Sequence, residues 1–112
     1  MKTRYRVKFW SSSNGEKPVA KWMKSLEDGD REYLGDLLRE LAIDGPYYRH
    51  KVFKHLEAEL WEIRDLRSPG PGYRIYFGFD GQFICLIVAS GSKKSQNRDI
   101  ETAKKRLKME NK

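Results

Sequence analysis

Three short runs near residues 59–66, 72–79 and 82–90 restrict the fold more than any other feature of this 112-residue chain. Leu60-Trp61-Glu62-Ile63-Arg64 and Gly72-Tyr73-Arg74-Ile75-Tyr76-Phe77 alternate between apolar and polar residues, the period of a strand with one buried face. That parity puts Trp61, Ile63, Tyr73, Ile75 and Phe77 towards a core and Glu62, Arg64, Arg74 and Tyr76 on the opposite face. The third run, Phe83 to Ala89, is apolar on both faces and belongs inside the sheet. Asp80-Gly81 between the second and third runs predicts a two-residue hairpin turn. A one-residue slip would exchange the two faces throughout.

The remaining elements follow from period and punctuation. Residues 4–10 alternate as a strand, with Tyr5, Val7 and Phe9 on one side. Pro18 opens a helix carrying Val19, Trp22, Met23 and Leu26, and Asp28-Gly29-Asp30 reads as its break. A second helix carries Leu34, Leu37, Leu38 and Leu41 and stops at Gly45-Pro46, so the two form an αα hairpin. Pro46 to Glu57 has little periodicity and reads as a loop or extended connection. A last helix from about Asn97 to Met109 shows Ile100, Ala103 and Leu107 on one face. The order βααβββα predicts one α+β domain over residues 1–112, with an antiparallel-rich sheet and its helices on one face.

Charge is unevenly spread. Residues 1–44 hold 9 basic against 8 acidic residues, and residues 45–112 hold 14 against 8, so nearly all of the net +7 lies in the second part. Such a half suits nucleic acid, an acidic protein partner, or simple solubility. The single cysteine, Cys85, sits in an apolar run and reads as a core residue, without any disulfide framework. No signal peptide is apparent and no apolar run is long enough for a bilayer, so a cytoplasmic setting is expected.

The open sheet face predicted by parity carries the chemistry. Arg64 and Arg74 stand on neighbouring strands, and Lys93 and Lys94 follow the last strand. Lys51 and Lys54 precede the first of the three runs. Converging cations suit a phosphodiester backbone, and arginine's planar fork holds two phosphate oxygens without losing its charge. Tyr76, beside Arg74, is a candidate for stacking on a base, while Trp10, Trp22 and Trp61 read as packing residues. Histidine is the residue type suited to proton transfer near neutrality, which makes His55 a reserve base ahead of His50. A lysine serves as base only where neighbouring cations lower its pKa, the case considered for Lys54 and Lys94. Ordinary ion pairs are the competing reading, with Glu62 facing Arg74 and Glu62 or Asp65 beside Arg64.

Taken in order, Leu60-Trp61-Glu62-Ile63-Arg64, Gly70-Pro71-Gly72-Tyr73-Arg74-Ile75-Tyr76, and Lys93-Lys94-Ser95-Gln96 with Asp99-Ile100 and Ala103 resemble the RelE/ParE superfamily of type II toxins. More narrowly, the chain resembles its HigB-type, phage Gp49-like "addiction module killer" branch. The resemblance covers the domain in element order and the last half in motif detail. It implies a RelE-like fold and a ribosome-dependent mRNA endoribonuclease, which cuts mRNA in the ribosomal A site. The implied chemistry is attack of a ribose 2′-hydroxyl on the adjacent phosphate, without metal or cofactor; no His/Cys/Asp/Glu grouping here has metal-ligand spacing. By the same resemblance Arg74 stabilises the phosphate transition state. Lys94 (or Lys93), Lys54 and Arg64 complete the catalytic set, and Lys51, His55, Tyr76 and Lys93 contact RNA. The implied partners are the ribosome with its mRNA and a cognate antitoxin, expected to be a helix-turn-helix DNA-binding protein that covers the cationic face.

This chain departs from many relatives in one respect. Ser92 to Ile100 contains neither the tyrosine nor the histidine that they carry near the last strand or tail. Two other functions therefore stay open: a ParE-like toxin that inhibits DNA gyrase without cutting RNA, and a noncatalytic basic nucleic-acid-binding domain.

Overall fold

In the computed structural model, which describes residues 2–110, five strands form one mixed sheet with helices on both sides. The strands are β1 (Arg6–Phe9), β2 (Phe53–Glu57), β3 (Leu60–Arg64), β4 (Arg74–Phe79) and β5 (Ile84–Gly91). The helices are α1 (Pro18–Lys24), α2 (Asp28–Asp44) and α3 (Gln96–Glu110), the last entered through a 3₁₀ turn at Lys93–Ser95. The sheet order is β1-β5-β4-β3-β2; β1 runs parallel to β5 and every other pairing is antiparallel. As its two-sided apolar sequence requires, β5 is an interior strand. No helix among the described residues is long and apolar enough to cross a membrane.

The parity of β3 and β4 holds. Ile63, Ile75 and Phe77 join Val19 and Met23 of α1 and Leu34, Leu37, Leu38 and Leu41 of α2 in one core. Cys85 is buried there as well, and burial pushes its thiol up to about 12, as for an inert core cysteine. The other face is not open. Leu60, Tyr76, Leu86, Val88 and Ala89 form a second core with Ala103 and Leu107 of α3. The expectation that all helices share one face is thereby corrected, because α3 crosses behind the sheet and buries most of what parity had left to solvent.

A β-bulge in β5 helps seat α3. Tyr76 pairs with Ala89 and Phe77 with Ile87, leaving Val88 as the extra residue. The Val88 carbonyl accepts a hydrogen bond from Arg106 Nη1 at 2.7 Å, and that guanidinium also lies 4.6 Å from the Trp10 ring centre. Gly78 permits the close approach of the helix. A Cβ there would stand 2.6 Å from Leu107 Cδ2 and 3.1 Å from the Glu59 carbonyl oxygen.

Three local expectations change. Asp28-Gly29-Asp30 is the first turn of α2, not the break, because acidic residues favour a helix N-terminus. Residues 53–57 form the edge strand β2, which its weak alternation concealed; the observed order is βααββββα. The Asp80-Gly81 reversal is present with Gly81 at φ 81°, but it spans four residues closed by Asp80 N–H to the Ile84 carbonyl.

The loop between β3 and β4 is clamped to α2 by charge. Arg67 reaches Asp65 through Nε and Nη2, each at 2.9 Å, and Asp30 through Nη1 at 2.8 Å, with its plane 4.2 Å from the Tyr33 ring centre. Burial works to raise the Asp65 carboxyl, but hydrogen bonds from Arg67 outweigh it and hold it below the ordinary range. A depressed carboxyl contributes stability that is complete above its ordinary value of 3.8 and is lost as pH falls through the folded value. Asp65→Asn is expected to cost about 1–3 kcal/mol at pH 7, with the gap to the parent closing below about pH 4, as measured by urea unfolding across pH. A gap that stays constant between pH 7 and 3 would remove Asp65 from the acid response. Gly78→Ala should cost about 1–3 kcal/mol by the same measurement, because the added methyl displaces Leu107.

Candidate functional site

The polar residues on the α3 face gather around Glu62, whose side chain is only 2% exposed. Register puts them there. Lys54, Glu62 and Tyr76 form one cross-strand row, and Arg64, Arg74 and Gly91 form the next. Arg64 Nε lies 3.7 Å from Glu62 Oε1 and Arg74 Nε lies 3.7 Å from Glu62 Oε2. Gln96, at the start of α3, donates Nε2–H to Glu62 Oε2 at 2.9 Å. A single carboxylate thus separates two guanidinium groups that face each other across β3 and β4.

The arginines are held mainly by charge. Each Nε is buried without a hydrogen-bond partner, since 3.7 Å is ion-pair range but too long for a hydrogen bond. Arg74 is 6% exposed overall, and its Nη1 donates to the Gly72 and Tyr73 carbonyls at 3.3 Å. The side chain of Arg64 is one-third exposed. Gly72, at φ 64°, leaves room between the two cations that flank it: a Cβ would lie 3.2 Å from Lys93 Cβ and 3.7 Å from Arg74 Nη1. The Lys93 N–H also reaches the Pro71 carbonyl at 3.4 Å. Arg64 and Arg74 therefore share one carboxylate, with Lys54 in the adjoining cross-strand row and Lys93 packed beside Gly72.

Close packing of the 3₁₀ turn and α3 holds this arrangement. A side chain at Gly91 would collide with the Asp99 carboxylate and the Ser95 hydroxyl. That hydroxyl donates to Asp99 and accepts the Ser92 N–H at 3.2 Å. Asp99 also stands in the first turn of α3, where the helix dipole favours a negative charge.

Two sequence expectations need correction. Tyr76 is fully buried beneath α3 and has no free ring face for a base; burial, then the charge of Glu62, raises its hydroxyl above the ordinary tyrosine range. His55 points to the opposite sheet face, because it pairs with Trp61, whose ring centre is 5.0 Å away. Its Nε2 lies 2.7 Å from the Ala58 carbonyl oxygen. Lys94 lines a cleft of about 710 Å³ with Trp22, Tyr73, Gly91, Asn97 and Arg98, while Lys93 packs beside Gly72 and Arg74. As expected, Lys51 lies in the exposed turn before β2, and Lys54 shares the row with Glu62. Sequence reasoning named Glu62 only as a competing ion-pair partner and gave Gln96 no role. The spacing from Glu62 to Arg64 on one strand face was the available signal for Glu62. Gln96 stood in the Lys93–Gln96 motif, but its contact with Glu62 arises only through tertiary packing.

These features define a small basic α+β domain with a buried carboxylate organising an arginine pair. The family model for the phage derived protein Gp49-like (DUF891) family matches residues 21–108, and the chain belongs to that family. The family is associated with addiction-module killer proteins. No curated protein matches the chain.

Glu62→Gln leaves Arg64 and Arg74 opposed without their shared counter-charge. The variant should melt several degrees below the parent, and added sulfate should recover more of that loss than chloride at equal ionic strength. Equal effects of the two salts would show that the pair has no anion site to fill.

Proposed function

We propose that this protein is the toxin of a type II toxin–antitoxin pair, of the HigB type, and that it cuts ribosome-bound mRNA at the Glu62-centred cluster. Family membership supports the toxin assignment. The observation that carries the chemistry is the pair of buried Arg64 and Arg74 Nε donors without hydrogen-bond partners beside a single carboxylate. Arg64, one-third exposed, offers its guanidinium to an incoming phosphate at the rim, and Arg74, 6% exposed, adds its positive charge from behind.

In the proposed reaction a ribose 2′-oxygen bonds to the neighbouring phosphorus while the bond to the 5′-oxygen breaks. The products are a 2′,3′-cyclic phosphate and a 5′-hydroxyl end. One proton leaves the 2′-hydroxyl and one reaches the departing 5′-oxygen, so acid–base balance needs no metal or cofactor. Arg74 and Arg64 stabilise the charge that builds on the phosphate oxygens, and Glu62 holds their guanidinium planes apart. Of Lys54 and Lys93, the amines assigned to the rim, one takes the 2′-hydroxyl proton as the neutral amine and the other, as the ammonium, gives a proton to the 5′-oxygen. With Tyr76 sealed in the core, recognition at this cluster rests on phosphate and ribose, and codon selection falls to the ribosome. A cognate antitoxin, expected as a helix-turn-helix protein with an acidic segment, would neutralise by covering these cations.

The test is induced expression in cells, with mapping of transcript 5′ ends, and translation in vitro with and without ribosomes. Arg74→Ala should lower cleavage about 10²–10³-fold while the protein still melts cooperatively, and Arg74→Lys should recover little because it lacks the fork. Growth arrest with intact transcripts would reject RNA cleavage in favour of a binding-only toxin. Undiminished cutting by Arg74→Ala would reject this cluster as its site.

A further inference from the structure

The segment Tyr47-Tyr48-Arg49-His50-Lys51 has no part in the cluster described above, yet all five residues are exposed between the buried Gly45-Pro46 and Val52-Phe53 pairs. Tyr47 is 55% and Tyr48 67% exposed, and they are the only adjacent pair among the large apolar side chains left at the surface of the described residues. Their positions are built. The Arg49 carbonyl accepts both the Val52 and Phe53 N–H groups at 2.9 and 2.8 Å. Tyr47 stands edge-on to Trp61 with ring centres 5.5 Å apart. Gly45 at φ 79° lets the chain pass Tyr5, where a Cβ would come within 2.6 Å of the ring. Tyr48 and Arg49 then line a cleft with Arg4, Lys2, Glu40 and Asp44. Arg49 is paired with Glu40 at 2.6 Å, which leaves Arg4 and Lys2 as the cleft's cations against Asp44, and Lys51 is exposed three residues beyond Tyr48.

We infer that this loop is a docking surface for unpaired nucleotides of a single-stranded nucleic acid, with Tyr48 as the stacking platform and Arg4 and Lys51 as phosphate contacts. An exposed aromatic face beside unspent cations is the combination that binds single strands, since every base offers a π-face and every linkage a charge. Charge argues for a polyanion: with Arg49 tied to Glu40, Lys2 and Arg4 stand against Asp44 alone in the cleft beside Tyr48. The surface is distinct from the arginine cluster: His55 and Trp61, next to Tyr47, face away from Glu62. Its binding role holds whether or not that cluster cuts RNA.

The experiment is fluorescence anisotropy of a labelled 12-nucleotide single-stranded RNA and its DNA counterpart, titrated with the full chain at several salt concentrations. Tyr48→Ala should weaken binding roughly 5- to 100-fold without shifting the melting temperature, and Tyr48→Phe should bind within about twofold of the parent because it keeps the ring. Preference for RNA would assign a contact to the 2′-hydroxyl, and equal binding would assign stacking and phosphate alone; both support the surface. Tyr48→Ala should weaken binding by the same factor in the parent and in an Arg74→Ala background, which separates docking at this loop from phosphate contact at the cluster. Binding by Tyr48→Ala equal to the parent, or a Phe variant as weak as the Ala variant, would overturn the inference. If Tyr48→Ala does not fold, Arg4→Ser serves instead: weakened, less salt-dependent binding supports the surface and unchanged binding overturns it.

Discussion

One buried carboxylate organises the chemically distinctive half of this molecule. Arg64 and Arg74 are direct cross-strand partners, and like charges placed so are unfavourable. Glu62, two residues before Arg64 on the same strand face, places one oxygen near each guanidinium, and Gln96 fixes the carboxylate from α3. Burial of such a group is weak evidence for net stability, but removing its charge strands two cations in a poorly solvated space. The arrangement is best understood as a positioning device. It keeps two forks a fixed distance apart while leaving their Nε donors without hydrogen bonds.

The device exists only because α3 closes over that face of the sheet. Gly78 and Gly91 remove the side chains that would hold the helix off, and Arg106 satisfies the carbonyl of the bulged Val88. The same closure has opposite effects on neighbouring residues. It seals Tyr76 completely, yet it brings Lys93 beside Arg74 at the point where the 3₁₀ turn passes Gly72. Arg64 and Lys54 remain reachable from the rim because they lie towards the β2 edge, away from the strand that carries Gly91, whereas Arg74 is almost covered. Cover and access thus come from one element, and small residues set where cover ends.

Much of this was legible in residue order. Period two along residues 60–64 and 73–77 assigned Ile63, Ile75 and Phe77 to a core and Glu62, Arg64 and Arg74 to the other face, which is the hardest part of the site to obtain. Leucines at helical spacing marked α2, and Ile100, Ala103 and Leu107 marked the buried side of α3. Weak alternation hid β2, whose half-exposed edge position demands little apolar sequence. The acidic pair Asp28 and Asp30 misled because the same residues serve a turn or a helix start, and only the surrounding contacts distinguish them. Spacing along the chain does not say how a one-turn 3₁₀ segment turns two adjacent lysines, and the structure brings Lys93 beside Gly72 and Arg74.

By itself the sequence determined which residues share a strand face, where the net positive charge lies, and that two arginines and a glutamate would meet, since these follow from alternation and pairing alone. Only the tertiary structure decided that the shared face is roofed, that Tyr76 is core while Tyr48 is surface, and that Gln96 and Lys93 complete the cluster. Those outcomes depend on where α3 comes to rest, and that is settled by close contacts at Gly78, Gly91 and Val88 that no local pattern encodes.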